Sequence, residues 1–232
     1  MTAQTARLEY INYGVSGPGV KQQSLTPNEP WTVQRPPGLH WYHKSADYAL
    51  EVLGEGPGKC LVIGSPIFEA NELRNAGWTV IYLDVREPPK GSSEGYVKGD
   101  ACAMPFSDGE MDAVSSSCVL CHAGMGRYGD EEREVGDMRM LEEIARVLKK
   151  GAPAVLSVPA CNIAGVHVIG NVHRVYSLAA LHFMAGKTGL QLEQHRCLSR
   201  ELGRWLKDGE PMSEELETPD YLSVLLRREA LA

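Results

Sequence analysis

The segment KCLVIGSPIFEANELRNAGWTVIYLDV, residues 59–85, joins two apolar runs through a turn and a stretch with helical character. KCLVIG (59–64) reads as a strand ending in Gly64. SPIFEANELRNAG (65–77) reads as a turn and a helix stopped by Gly77, and WTVIYLDV (78–85) as a second strand ending in an acid. Parallel neighbours need a crossover between them, so this is a strand–helix–strand unit. A strand that ends in glycine and turns straight into a helix brings backbone N–H groups close to a ligand. Asp84 lies 20 residues after Gly64, a spacing suited to a carboxylate that accepts hydrogen bonds from ribose hydroxyls.

The flanking sequence extends the pattern. SADYALEVL (45–53) has helical spacing and is stopped by GEGPG (54–58). After Val85 a polar loop leads to a third strand across Met111 to Val119. DMRMLEEIARVLKKG (137–151) is an amphipathic helix with Met140, Ile144, Val147 and Leu148 on one face. APAVLSVP (152–159) reads as a strand, SLAALHFMAGKTG (177–189) as a helix, and QLEQHRCL (191–198) and YLSVLLRRE (221–229) as strands. Strands alternating with helices predict an α/β fold: a Rossmann-like, doubly wound, mostly parallel sheet with helices on both faces and ligands at the carboxyl ends of its strands. Residues 1 to about 38 are rich in Gly and Pro and predict an irregular arm. The expected organisation is therefore an arm or lid with one helix (1–55) and a Rossmann domain (56–232).

Net charge is −7, from 23 basic and 30 acidic residues. That balance argues against nucleic acid as a partner, which requires a basic face. There is no apolar run of membrane-spanning length, and MTAQTARLEY lacks a secretory pattern, so a cytoplasmic protein is expected. Six cysteines then read as small buried hydrophobes. Cys118 and Cys121 form a CxxC pair without a second pair to complete a zinc site, so no metal is expected.

GDACAMPFSDGEMDAVSSS (99–117) places Asp100 in a loop before a Pro-Phe turn and a strand. The order Gly64, Asp84, Asp100, the MPF-D turn and a helix ending RVLKKGAPAVLSVP resembles class I S-adenosylmethionine-dependent methyltransferases over roughly residues 58–160. LKKGA (148–152) is similar to the LKPGG-type turn of that family. The segments CHAGMGRYGD (121–130) and NVHRVYS (171–177) further resemble the DUF268-type branch of uncharacterised bacterial proteins. The resemblance implies a seven-stranded methyltransferase sheet and S-adenosyl-L-methionine as cofactor, held by Gly64, Ser65, Glu69, Asp84, Val85, Asp100, Ala101 and Ser117. Pro66 and Phe68 stand near the places where the family has further glycines, and Cys121 replaces the branch's glutamate before His122.

His122 is expected just past the strand SSSCV, where a neutral imidazole can take a proton at neutral pH. Arg127 and Tyr128 follow on the glycine-flanked loop GMGRYGD, and Arg127 suits a carboxylate or phosphate. A plainer role for Arg127 is pairing with Asp130 or Asp137. His173, Arg174 and Tyr176 form a second polar cluster, with His173 assigned to catalysis and Arg174 and Tyr176 to substrate. Structural hydrogen bonding is the alternative for His173 and Arg174. His40 and Tyr42, from HWYH (40–43), are candidate substrate contacts on a lid, or part of an arm packed on the core. Cys118 is expected inside an apolar strand, where its thiol stays protonated. The function expected is methylation of a small-molecule O or N acceptor. Alternatives are a non-catalytic methyltransferase-like binding protein, a natural-product enzyme that does not methylate, and a nicotinamide-dependent oxidoreductase. Oligomeric state is open, a homodimer being one option.

Overall fold

Four consecutive residues, Cys60 to Ile63, are buried on both faces of their strand, as an apolar run without alternation requires in a sheet covered from both sides. The computed structural model describes residues 10–13, 41–88, 94–170, 172–216 and 218–229. In chain order the elements are β1 (Tyr10–Tyr13), α1 (Trp41–Leu53), β2 (Lys59–Ile63), α2 (Ile67–Asn75), β3 (Thr79–Asp84), β4 (Tyr96–Lys98) and β5 (Ala113–Ser117). They continue with α3 (Gly136–Val147), β6 (Pro153–Ala160), β7 (Val166–Ile169), β8 (His173–Tyr176), α4 (Leu178–Lys187), β9 (Leu190–Ser199), β10 (Arg204–Trp205) and β11 (Asp220–Arg228).

Seven strands form the spine, in the order β4-β3-β2-β5-β6-β11-β9. β4, β3, β2, β5 and β6 are parallel, and β11 runs antiparallel between β6 and β9. β10 pairs with the end of β9. Beyond the end of β5, β8 pairs with β6 at Ala160, β7 pairs with β8, and β1 pairs with β7. The α/β class and mostly parallel sheet follow the alternation of the sequence, with five short strands added: β1, β4, β7, β8 and β10. β4 falls within the expected polar loop, β1 within the expected irregular arm, and β8 makes a strand of the expected HRVY loop cluster.

Leu50 and Leu53 of α1 join α2 against β2 and β3, and α1 also covers Val155 and Leu225. Met140, Leu141, Ile144 and Val147 of α3 and Leu181, Met184 and Ala185 of α4 enter the larger core on the other face. The helix expected to reach Gly151 ends at Val147. Leu148 is extended (φ −68°, ψ 144°) and bridges Met111, whose carbonyl accepts from Lys149 N at 2.8 Å. The chain thus leaves the helix to join the start of β5. Glu143 and Arg146 of α3 hold the MPF turn: Met104 N donates to Glu143 Oε2 at 2.7 Å, and Arg146 Nη2 donates to Met104 O at 3.0 Å.

Gly136 lets α3 start against the loop that follows β5. A Cβ there would lie 2.5 Å from Gly124 Cα, a backbone contact that cannot swing aside. Gly136→Ala is expected to cost about 1–3 kcal/mol as overpacking, lowering Tm by roughly 2–4 °C per kcal/mol. Thermal denaturation followed by circular dichroism checks this, and an unchanged Tm contradicts the contact.

Candidate active site

β2 ends in a left-handed bend at Gly64 (φ 54°), a conformation open to glycine at little cost. A Cβ at this position would lie 2.8 Å from Val119 Cγ2 and 3.7 Å from Asp84 Oδ2. The bend is held from inside. Ser65 Oγ donates to Ile63 O at 3.3 Å and accepts from Ser117 N at 2.7 Å. The Tyr82 hydroxyl donates to the Ser65 carbonyl. Glu69, on the first turn of α2, is fully buried and accepts from Ser115 Oγ at 2.6 Å and Ser117 Oγ at 2.7 Å. Burial raises the Glu69 carboxyl above the usual glutamate range, although these hydroxyls act against it. Ser65, Glu69 and Ser117, expected as cofactor contacts, are turned into the protein and brace the bend.

Asp84 closes β3 and is 6% exposed. Its carboxylate is gripped by Arg86: Nε reaches Oδ1 at 2.9 Å, Nη2 reaches Oδ2 at 2.8 Å, and the Arg86 backbone N–H reaches Oδ1 at 2.9 Å. The Arg86 guanidinium also lies 5.2 Å from the Tyr128 ring centroid. Val85 is half-buried between the pair. Asp100 follows β4, with Oδ1 accepting from Cys102 N at 2.8 Å and Oδ2 at 3.6 Å from Arg133; Ala101 beside it is buried. Gly64, Asp84, Val85, Asp100 and Ala101 therefore follow the carboxyl ends of β2, β3 and β4. Arg86 was missed in the sequence, although its place two residues beyond an acid at a strand end was a visible signal.

β5 ends at Ser117, so Cys118 lies just past the strand and not inside it. It is a buried non-glycine residue in the left-handed region (φ 55°), and burial pushes its thiol up. A protonated thiol is a poor nucleophile. His122 follows in the next turn, with Nδ1 2.7 Å from Val172 O. A carbonyl only accepts, so Nδ1 carries a hydrogen, and Nε2 is the ring nitrogen left to take a proton. Arg127 Nη1 donates to the same carbonyl at 2.9 Å. Neither acid considered as an Arg127 partner takes that place: Asp130 accepts from the Gly126 and Tyr128 backbone, and Asp137 faces Arg174. Tyr128 and His173 stand edge-on to His122, with centroids at 5.6 and 6.3 Å. Burial, chiefly, lowers the His173 pKa, so this ring is neutral at neutral pH.

Arg174 and Tyr176, expected to touch substrate, are internal. Arg174 is 3% exposed, donates to Ala123 O at 2.7 Å and lies 3.6 Å from Asp137. Tyr176 is fully buried and donates to Asp137 Oδ2 at 3.1 Å, within reach of Leu120 O at 3.3 Å. Together they fasten the loop bearing His122 to β8 and α3. His40 lies outside the described residues, as does the Tyr42 side chain. Of their neighbours, Trp41 stacks on Tyr221 and His43 meets the edge of Phe68. Among the described residues no group of His, Cys, Asp and Glu is placed to hold a metal, and no helix is long and apolar enough to cross a membrane.

A family model described as "Caenorhabditis protein of unknown function, DUF268" matches residues 104–191. Among curated proteins none matches the chain. Solved structures are similar in fold. One is the Burkholderia thailandensis 1,6-didemethyltoxoflavin-N1-methyltransferase (TM-score 0.61, 13% identity, 82% of this chain and 78% of that one). The [4+2]-cyclase SpnF is another (TM-score 0.59, 14% identity, 81% of each chain). A Bacillus halodurans protein described as a putative methyltransferase has a TM-score of 0.57 at 14% identity, over 81% of this chain and 100% of its own. The chain has the class I S-adenosylmethionine-dependent methyltransferase fold.

Glu69 gives a pH-dependent test of the bracing network. Because its folded carboxyl is raised, its stabilising contribution is complete below the ordinary glutamate value and is lost as pH rises through the folded one. The Tm of Glu69→Gln minus that of the wild type is expected to increase from about pH 5 to about pH 8. A difference that stays constant across that range contradicts the raised carboxyl.

Proposed function

We propose that this chain binds S-adenosylmethionine at the carboxyl ends of β2, β3 and β4 and methylates an O or N atom of a small molecule. The observation that carries the reading is Asp84, a buried carboxylate closing β3 beside the Gly64 bend. The residues fit the group in their chemistry: Asp84 and Asp100 put carboxylates at the ends of neighbouring strands beside the Gly64 bend, whose Cβ position Val119 fills at 2.8 Å, with Asp84 Oδ2 at 3.7 Å. Asp84 is suited to the ribose hydroxyls once Arg86 turns away, with Asp100 and Ala101 beside the base. The similar toxoflavin methyltransferase is described with S-adenosylhomocysteine bound, which supports this choice of ligand.

When bound beside Asp84 and Asp100, S-adenosylmethionine would supply an electrophilic sulfonium methyl group. What remains for the protein is alignment and proton removal. His122 serves as the base through Nε2, since Val172 holds its Nδ1–H. Neutral His173 and the Tyr128 ring fix the imidazole's position, and Arg127 shares the Val172 carbonyl. The six cysteines are free and buried, in keeping with a reducing, cytoplasmic setting, and the acidic balance supports a small-molecule acceptor over nucleic acid.

The Arg86 grip on Asp84 favours a second reading, a methyltransferase-like protein that binds ligand without turnover. The cyclase among the similar folds keeps non-methylating chemistry in view. Calorimetry with S-adenosylhomocysteine tests the ligand. The wild type is expected to bind with Kd below about 100 μM, near −5.5 kcal/mol. Asp84→Ala should weaken binding at least about tenfold, Arg86→Ala should tighten it by freeing the carboxylate, and His122→Ala should leave it nearly unchanged. Absence of wild-type binding, or full affinity in Asp84→Ala, contradicts the proposal. With ligand binding intact, methyl transfer that survives His122→Ala removes the base from its role.

A further inference from the structure

A cavity of about 270 Å³ opens beside α1, lined among others by Trp41, Lys44, Leu198, Arg200 and Tyr221. Its place follows from the sheet register. Tyr221, the second residue of β11, pairs with Pro159 near the carboxyl end of β6 and with Leu198 near the end of β9. This is the edge of the sheet at which Gly64, Asp84 and His122 leave their strands. The volume falls just below the roughly 300–1,000 Å³ typical of small-molecule sites, which limits the occupant to a small molecule.

The lining has a chemical bias. Trp41 and Tyr221 stack with centroids 4.4 Å apart and planes 7° from parallel, giving one side of the cavity an aromatic wall. Burial pushes the Tyr221 phenol up to about 12, so at neutral pH it remains a hydroxyl donor. Lys44 lies three residues after Trp41 on α1, on the same helix face. Arg200 approaches from the other side, its backbone N–H anchored on Asp220 Oδ1 at 2.9 Å. Among the described residues no acidic side chain lines the cavity, and neither Lys44 nor Arg200 forms an ion pair. Asp220 is buried and takes N–H groups from Arg200 and Ser213, so its charge is used within the protein.

Two cations beside an aromatic wall select an anion carried on a flat apolar body. We infer that this cavity receives the methyl acceptor, and that the acceptor is a small planar molecule bearing a carboxylate or phosphate. The role of acceptor rests on the methyltransferase reading above; the preference for a planar anion rests on the cavity alone.

Calorimetry on the full chain with 1-naphthoate, 1-naphthyl phosphate and the neutral 1-naphthamide tests it. Naphthoate or naphthyl phosphate is expected to bind at least about tenfold more tightly than the amide, and the tighter of the two identifies the anionic group. Arg200→Ala and Lys44→Ala should each weaken the anion several-fold while S-adenosylhomocysteine affinity stays at the wild-type value. Both residues are partly or fully exposed, and circular dichroism confirms that the variants fold. Equal affinity for amide and anion, wild-type anion affinity in both variants, or no binding of any probe at about 1 mM overturns the inference. Selective anion binding without S-adenosylhomocysteine binding keeps the cavity's preference and sinks the methyltransferase role instead.

Discussion

The carboxyl group of Glu69 ties the first turn of α2 to the central strand β5 through the Ser115 and Ser117 hydroxyls. A fully buried carboxyl is costly unless its oxygens are occupied, and this one sits directly behind the Gly64–Pro66 turn. Ser65 extends the same network to the Ser117 backbone, so the end of β2, the start of α2 and the end of β5 are held as one unit. With this bend fixed, Asp84 comes alongside Gly64, and Val119 packs where a side chain at Gly64 would have stood. Ser115 and Ser117 of AVSSS, unusual in a central strand, are explained by the acid that they satisfy, and the Ser116 hydroxyl donates to Ile63 O at 3.2 Å.

The edge of the sheet therefore divides into two shells. Toward the interior, Ser65, Glu69, Ser117, Arg174, Tyr176 and Asp137 hold loops in place. Half-buried around the buried Asp84 stand Arg86, Tyr128, Arg127, His122 and His173. Arg86 links Asp84 to this group, since it grips that carboxylate while its guanidinium faces the Tyr128 ring. A ligand at Asp84 has to replace an ion pair and two charge-assisted hydrogen bonds, so the same carboxylate that suits a ribose also sets a competitor against it.

The parallel spine was legible because its strands are apolar runs separated by helices with clear periodicity or glycine stops, as in KCLVIG and DMRMLEEIARVLKKG. β4 was lost because three residues, Tyr96–Lys98, carry no period and follow a Pro- and Gly-rich stretch. β7 and β8 were lost because GVHVIGNVHRVYS places glycines, histidines and an arginine among its apolar residues. Burial of Arg174 depends on Asp137, 37 positions earlier in the chain, and no local pattern records that. Asp84 could be located from its spacing to Gly64. The inward turn of Glu69 and Ser117 could not, because helix and strand periods do not tell which polar residue faces a cavity and which is matched by another inside the core.

The most direct measurement is a crystal structure grown with S-adenosylhomocysteine. The account predicts the ribose hydroxyls on Asp84, Arg86 rotated off that carboxylate, and the sulfur end directed toward His122. Finding Arg86 still paired with Asp84 at saturating ligand, with the nucleoside bound elsewhere or absent, would contradict it.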